Sequence, residues 1–362
     1  MPGWESLIRV TYADSWGTPG TFGKRGMFLY ADSESLDYGA QVTERDSKLI
    51  GMRESPVDTF SIDRYFPKGN LTVQPRVDDI LMLFMAHFQN VVVSPGGTYQ
   101  FFRAQNNVAF TSGGSVWAVG TARGGTSGTI GTGIHPYSVN LDVFFGQSFI
   151  TTGGTQANGI RFTNGIVDKL TISSKYGEDL QITPEFKFLA GSYYAYPTNF
   201  TYPSVYGSLS AYQRMVDYHG TVTVGAEDFD VDGVELTFSN NSMDKTRLGK
   251  RGYTRFPFGG KYVAEGQFDM ELNRDLAVLA EGQFTSITID LQVAAANRIT
   301  IYEPNIANRP FNIPLNGGDQ LIELSKGYRA YPPSGGTSGA SLSSHIVTVY
   351  TGTLFGTGLF GF

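Results

Sequence analysis

The acidic segment DFDVDG, residues 228–233, has the residue types and spacing that open a calcium-binding loop. Such a loop ends with a bidentate glutamate at its twelfth position, where this chain has Ser239. Hydrophobic residues alternate with the acids as they do in a strand, and no helical pattern lies on either side. We therefore expect an exposed acidic strand edge that enters a turn, and not a metal site.

The other residues that could do chemistry do not combine into a catalytic arrangement. GTIGTG at 128–133 has the glycines of a dinucleotide loop, but neither their full spacing nor a surrounding βαβ unit. The chain has no cysteine, no G-K-[ST] phosphate loop and no G-x-S-x-G motif. The four histidines are scattered along the chain: His87, His135, His219 and His345. We expect a protein that is not an enzyme and that uses no metal and no cofactor.

The composition limits the fold class and the partners. The 362 residues include 14% aromatic and only 17% charged residues, with 45 glycines, which favours strands and turns over a helical bundle. The net charge of −6 is opposite to the basic surface of a DNA-binding domain. The first residues lack the pattern of a signal peptide, and no apolar stretch is long enough to cross a membrane as a helix. We expect synthesis in the cytoplasm and no membrane insertion.

The segment GGKYVAEGQFDMELNRDLAVLAEG, residues 259–282, predicts the element that positions a group of carboxylates. Leu272, Leu276 and Leu279 in its second half have helical spacing. Its first half alternates as a strand, with four polar residues on one face: Glu265, Gln267, Asp269 and Glu271. The sequence therefore predicts a strand that leads directly into a short helix.

A strand followed by a helix is also predicted at 67–88, and it resembles the later segment. Gly69 and Gly266 lie at matching points 197 residues apart, and the GxR motif at 51–53 matches the one at 249–251. The polar face of the earlier strand carries three residues at corresponding places: Asn70, Thr72 and Gln74. These matches, which occur in the same order, predict a duplicated unit.

We interpret the chain as two similar β domains, at 1–200 and 201–362, each with one short flanking helix. In the first domain we expect Asp78 and Asp79 in the first turn of the helix, where its dipole favours acids. We expect His87, near the other end, to have a capping or surface role. Further upstream, Gly39 matches Gly233, with a sequence separation slightly different from that between Gly69 and Gly266.

The segment between the repeated units predicts further strands. Residues 164–189 alternate on both sides of Tyr176-Gly177, which predicts a hairpin with its turn there. The Gly/Ser/Thr-rich residues 111–133 predict a long loop, and the Tyr/Pro-rich residues 192–208 predict the connector between the domains.

An outer-membrane barrel is a second interpretation of the glycine, the aromatic residues and the alternating strands. The two predicted helices oppose it, and so does the small number of ten-residue alternating segments.

The layout resembles that of the tail tube proteins of long-tailed bacteriophages. The similar parts are GKR at 249–251 with the strand that follows, the hairpin at 164–189, VDGVELTFSNNSMDK at 231–245, and VTYADSWGTPGTFG at 10–23. The resemblance implies β-sandwich or half-barrel domains whose inner strands form one barrel around a channel when subunits join edge to edge.

A chain with two such domains is expected to form homotrimeric rings with pseudo-sixfold symmetry, with a hexamer as the alternative. The stacked rings would form a virion tail tube that conducts double-stranded DNA. The expected partners are other copies of the chain and the tape-measure, terminator and baseplate proteins of the tail.

The resemblance also assigns roles to residues of the two copies. We expect the polar strand faces, from Asn70 to Gln74 and from Glu265 to Glu271, to line the channel, acidic in the second copy and nearly neutral in the first. An acidic or neutral wall would not hold phosphates. Ring stacking is expected at the N-terminal arm 1–24, the Gly/Thr loop and the loops 44–66 and 241–258. The candidate contact residues in those loops are Arg53, Asp63, Arg64, Arg247, Arg251 and Arg255.

Two other functions fit the same pattern. One is a related ring protein of the tail, such as a terminator or a baseplate ring. The other is a capsid decoration or host-adhesion protein built from strands.

Overall fold

Alternating apolar and polar residues dominate the chain, and in a computed structural model the protein is mainly β, as the composition predicts. The structure describes residues 7–12, 26–37, 39–44, 60–94, 96–103, 115–117, 137–150, 156–194, 207–208, 213–216, 220–244, 252–253, 260–271, 284–309, 323–333 and 343–351.

The strands are, in chain order, β1 Leu7–Tyr12, β2 Gly26–Leu29, β3 Ala31–Glu34, β4 Ala40–Glu44, β5 Phe60–Tyr65, β6 Lys68–Val73, β7 Asn90–Ser94, β8 Thr98–Phe102, β9 Ser115–Trp117, β10 Val139–Ile150, β11 Gln156–Lys175, β12 Gln181–Lys187, β13 Ala190–Tyr194, β14 Gly207–Ser208, β15 Gly220–Val224, β16 Glu227–Phe229, β17 Gly233–Ser239, β18 Val263–Glu271, β19 Phe284–Ala294, β20 Asn297–Asn308, β21 Glu323–Tyr331 and β22 Ile346–Tyr350. The described helix, α1, is Leu81–Phe88.

Seven strands form the central part of the sheet, in the antiparallel order β3-β6-β12-β11-β17-β18-β21. Apart from β3, whose four residues are all exposed, each has one apolar face, because side chains alternate across a strand. The apolar residues of this face are buried in the core, among them Leu71, Leu170, Ile182, Leu236 and Phe268. The opposite face is polar, and most of its side chains reach the solvent.

The pairing pattern of the early strands occurs again in the later strands. In the early set, β1 pairs with β2 and with β10. β11 pairs with β10, β12 and β13. β6 pairs with β3 and with β12. In the later set β15 pairs with β16 and β19, β20 pairs with β19, β21 and β22, and β18 pairs with β17 and β21. All of these pairs are antiparallel. β11 also pairs with β17, which joins the two sets.

Strands β7, β8 and β9 follow α1 and have no described equivalent in the later set. β7 pairs with β8 and β9, and β8 pairs with β22 of the later set. Thr351, just after β22, donates both its backbone N–H and its hydroxyl to the carbonyl oxygen of Gly97. This hairpin therefore makes a second connection between the two sets of strands.

Helix α1 is apolar on all sides, and all of its side chains are buried. A helix with this composition must lie inside a protein. The rings of Phe84 and Phe88 pack against each other and against Phe101 of β8. The helix ends at Gln89, whose left-handed φ of 68° directs its N–H to the carbonyl of Met85. The sequence predicted a short flanking helix, but this helix is enclosed, since all of its side chains are buried.

The prediction that Asp78 and Asp79 occupy the first helical turn is wrong. The helix begins at Leu81, after a turn at 77–80. Asp79 accepts a hydrogen bond from the backbone N–H of Arg76 at 3.2 Å, which stabilises this turn instead. Burial, together with the neighbouring Asp78 carboxylate, raises the pKa of Asp79.

Part of the predicted N-terminal arm is a core strand. β1 lies between β2 and β10, and its Ile8 and Val10 are buried. The hairpin predicted at 164–189 is present as β11 and β12, with Gly177 in the turn at φ 77°. The predicted helix at 272–279, most of the loop at 111–133 and most of the connector at 192–208 lie outside the described residues.

The Tyr328 ring covers Gly266 closely, since an added Cβ there would lie 2.3 Å from the ring's Cζ atom. We expect Gly266→Ala to lower the free energy of unfolding by about 2 kcal/mol, because a packed core must shift to admit a methyl group. Denaturant unfolding measures this change. Gly327→Ala on the adjacent strand is the control, since its Cβ would come no closer than 3.7 Å to Arg309. Equal losses for the two variants would contradict this packing argument.

Candidate functional site on the polar face of the sheet

The polar face is the solvent side of β6, β12, β11, β17, β18 and β21. It exists because each of these strands alternates, so that one side enters the core and the other does not. Six of the predicted channel residues have exposed or half-buried side chains on this face: Asn70, Thr72, Gln74, Glu265, Gln267 and Asp269. Glu271 lies in β18, but its side chain is outside the described part of the structure.

A row of threonines crosses the polar face at right angles to the strands. The hydroxyls of Thr72 and Thr183 lie 3.3 Å apart, and Thr171 is the direct cross-strand partner of Thr183. On its other side Thr171 pairs with Thr237, and their hydroxyls are 3.5 Å apart. Four adjacent strands therefore present hydroxyls side by side.

The row continues from the threonines into charged residues. Thr237 is opposite Glu265 on β18, and Glu265 is opposite Arg329 on β21. Glu265 accepts a hydrogen bond from Arg309 at 2.5 Å, and Arg329 lies 3.9 Å from the same carboxyl oxygen. Two guanidinium groups thus surround a carboxylate that we expected to make the wall acidic.

A second ion pair lies on the neighbouring row. Lys169 of β11 is 3.2 Å from Glu185 of β12, directly across the strand pair. Exposed pairs of this kind add at most about 1 kcal/mol to stability. Their effect is on the charge of the surface, because each basic group is held beside an acidic one.

The residues predicted for ring stacking are only partly described. Asp63 and Arg64 lie in β5, which pairs with β4 in a separate two-stranded sheet, so 60–65 is a strand and not part of a loop. The side chains of these two residues are outside the described part. The other candidates lie outside it altogether: Arg53, Arg247, Arg251 and Arg255.

A buried histidine pair joins α1 to the later strands. His87 Nδ1 lies 3.0 Å from the Val167 carbonyl oxygen, and His345 Nε2 lies 3.2 Å from the Tyr262 hydroxyl. Burial lowers the pKa of His87 to about 3 and that of His345 well below its usual value. Both imidazoles are therefore neutral at pH 7, and the predicted capping or surface role of His87 is wrong.

A buried row of ions crosses β1, β10 and β11. Asp142 accepts hydrogen bonds from Arg9 and Arg161, with a shortest distance of 2.5 Å on each side. The guanidinium of Arg9 also lies over the Phe144 ring. Such a buried arrangement costs desolvation energy, which offsets much of the attraction between the charges.

No protein-family model and no curated protein matches this chain. The geometry of the described residues therefore carries the functional argument. Within those residues no group of three histidine, cysteine or acidic side chains is arranged to hold a metal ion. In the same ranges, no helix has the length and apolar character of a membrane span.

Sequence reasoning found the polar strand faces but missed the groups that balance their charge. Arg309 and Arg329 carry no local signal, because they approach Glu265 only through strand pairing between distant segments. The sequence did indicate the hairpin that contains Thr171 and Thr183, since this hairpin was predicted with the correct turn. Only the pairing of that hairpin with β6 and β17 aligns its threonines with Thr72 and Thr237.

The buried carboxyl of Glu303 generates a prediction about pH. Burial raises its pKa from 4.5 to about 8, and the nearby Tyr328 hydroxyl opposes this rise by a smaller amount. Neither carboxyl oxygen reaches a partner at hydrogen-bond geometry among the described residues. The folded state therefore binds this proton more tightly than the unfolded chain. The stabilisation that the bound proton provides is lost as the pH rises from 4.5 through 8.

We expect Glu303→Gln to raise the free energy of unfolding by roughly 3 kcal/mol at pH 7 and to change it little at pH 4. Denaturant unfolding at both pH values measures the difference. The exposed Glu227→Gln controls for charge removal and should give similar effects at the two pH values. A Glu303→Gln effect independent of pH would contradict the assignment of a raised pKa.

Proposed function

We propose that this protein is the repeating subunit of a phage tail tube, in which homotrimeric rings stack around a channel for double-stranded DNA. The protein acts without catalysis, and its principal partners are other copies of itself. The tape-measure, terminator and baseplate proteins complete the tail.

The observation that carries this proposal is the strand-pairing pattern that occurs twice. The seven pairings of the early set correspond one to one with the seven of the later set, and β11 joins the sets through β17. A duplicated tube domain accounts for this pattern, with the early set as one copy and the later set as the other. Gly69 and Gly266, which match in the sequence, occupy similar places on β6 and β18. Gly39 and Gly233, which also match in the sequence, lie at different places: Gly39 at the bend before β4, and Gly233 opposite Asp269.

The junction between the two sets suggests how separate copies would join. β11 lies along the outer edge of β17, and the counterpart of β17 in the early set is β3. Within the described strands β3 pairs with β6 alone, so its other edge, which we call the open edge, has no partner in that part of the chain. An edge strand of a second copy, placed against β3, would repeat the kind of contact that β11 makes with β17 and would cover this edge.

Three copies joined in this way would contain six similar units, which gives the pseudo-sixfold ring. Repeating one kind of contact closes a ring when its rotation fits. The polar face would then surround the channel, because the apolar face of the same strands is occupied by the core.

Electron microscopy of the purified protein tests the proposal directly. We expect rings and stacked rings with a central channel about as wide as a DNA duplex. The number of copies per virion separates the alternatives, because a tube subunit is abundant and a terminator or baseplate ring is not. A protein that stays a monomer at every concentration would contradict the proposal.

The open edge of β3 provides a sharper test through Glu34. The backbone N–H of Ser35 bonds to Asn70 within the sheet, and N–H directions alternate along a strand. The N–H of Glu34 therefore points away from β6, toward the open side. We expect Glu34→Pro, which removes this N–H, to leave the monomer folded and to abolish rings in sedimentation and microscopy.

Glu34→Gln is the matched control, since it removes the charge and keeps the N–H. We expect this variant to form rings as the unchanged protein does. Normal ring formation by a folded Glu34→Pro variant would show that the β3 edge is not the contact.

A further inference from the structure

An apolar cleft of about 230 Å³ opens at one end of the central sheet, beside the turn between β11 and β12. Strands β11, β15, β17 and β19 supply its walls, and residues just before β17 complete the lining. Tyr176 lines the cleft and has 84% of its surface exposed. A concave apolar site of this kind can bind an apolar group from outside the chain. More than half of its lining residues are aliphatic, among them Ile172, Leu180, Val222, Leu236 and Leu291.

The surroundings of this cleft are acidic. Two segments border it, the turn at 175–179 and the residues 225–232, and in them acidic residues outnumber basic ones six to one. The single basic residue is Lys175, and Arg214 from outside the segments lies 3.0 Å from Asp179. The segment DFDVDG contributes three of the acids, and all three are exposed. The six acidic residues are Glu178, Asp179, Glu227, Asp228, Asp230 and Asp232.

The opposite end of β17 presents an exposed methionine. β17 begins at the cleft, at Gly233, and ends at Ser239. Met243 follows four residues later, with 49% of its surface exposed. The seven residues of β17 span about 20 Å, so Met243 cannot reach the cleft of its own chain.

Hydrogen bonds fix the backbone next to this methionine. The backbone N–H of Ser242 donates to Asp168 at 2.8 Å, and the Ser242 carbonyl oxygen accepts a hydrogen bond from Lys187 at 3.1 Å. Lys187 also forms an ion pair with Asp168 at 2.9 Å. Met243 is therefore presented from an anchored position, although nothing in its own chain covers half of its surface.

The sequence that follows Met243 is basic. From Asp244 to Lys261 it contains six basic residues, and Asp244 is its one acidic residue. Both ends of this segment lie at the same end of the sheet as Met243, since the Asn241 side chain donates to the Lys261 carbonyl oxygen at 2.7 Å. The acidic turns thus belong to the end with the cleft, and the basic segment belongs to the end with Met243. Its basic residues are Lys245, Arg247, Lys250, Arg251, Arg255 and Lys261.

We propose that the cleft of one copy receives Met243 of another copy, so that copies join end to end along the direction of β17. This inference rests on the proposed function, and it identifies what the residues 241–258 contact when rings stack. The opposite charges of the two ends would guide them together, and the cleft would remove the methionine from water. An unbranched, adaptable side chain suits an irregular apolar site.

The proposed contact joins two different surfaces, which gives the assembly a direction. Each stack would keep a free cleft at one end and a free Met243 at the other. A contact of this kind continues as a filament when its rotation does not close. Neither surface includes a residue of β3, so a variant can separate stacking from the joining of subunits within a ring.

A disulfide can trap the contact, because the chain has no cysteine of its own. Thr221 is an exposed residue of the cleft lining. We expect the full chain with Thr221→Cys and Met243→Cys to form a ladder of linked chains on mild oxidation, visible on a gel and abolished by a reducing agent. Each single variant should stay unlinked. Tyr193→Cys with Met243→Cys is the matched control and should give no ladder, since the exposed Tyr193 lies on β13, far from the cleft.

A second variant tests the apolar character of the contact. We expect Met243→Asp to form single rings and to shorten the stacked tubes at least tenfold in electron micrographs, because an apolar cleft with acidic surroundings disfavours a carboxylate. Met243→Leu is its control and should form tubes of the same length as the unchanged protein.

A ladder no stronger than that of the Tyr193 control would overturn the inference, and so would tubes of normal length from Met243→Asp. Tubes shortened by Thr221→Trp but not by Met243→Asp would show that a different group occupies the cleft, which also overturns it. Failure of the unchanged protein to form rings would instead contradict the proposed function. The disulfide test would still report the end-to-end contact in that case, because it does not require rings.

Discussion

Strand β11 bonds to four other strands along its 20 residues, and the arrangement of the whole sheet depends on these backbone ladders. Its first half lies between β10 and β13, and its second half lies between β12 and β17. Because one continuous strand belongs to both regions, the early strands and the later strands share one sheet. The β11–β17 ladder is also the kind of edge contact that we propose between separate copies.

Alternation along these strands divides the protein into a dry side and a wet side. The dry side encloses α1 and a continuous core that includes residues of both strand sets. It also contains polar groups that are expensive to bury, such as the neutral pair His87 and His345 and the carboxyl of Glu303. Each helps to define one packing arrangement. The wet side carries the row of threonines and the exposed ion pairs.

Because of this division, substitutions on one side affect the stability of the protein, and substitutions on the other affect what its surface contacts. Substitutions on the dry side act through packing or desolvation, as at Gly266 and Glu303. Substitutions on the wet side leave the core intact and change only what the surface attracts. The second edge of β3 is a third case, since no described strand pairs with its backbone groups there.

The sequence by itself determined the mainly β class, the hairpin around Gly177 and the inward or outward direction of the residues in β6 and β18, because a period of two is a local property of a strand. It did not determine the surroundings of α1, since an apolar segment does not reveal how many of its sides will be covered. It also could not place Arg309 beside Glu265, or Thr171 between Thr183 and Thr237. Those neighbours come from strands far apart in the chain, and only tertiary pairing sets their register.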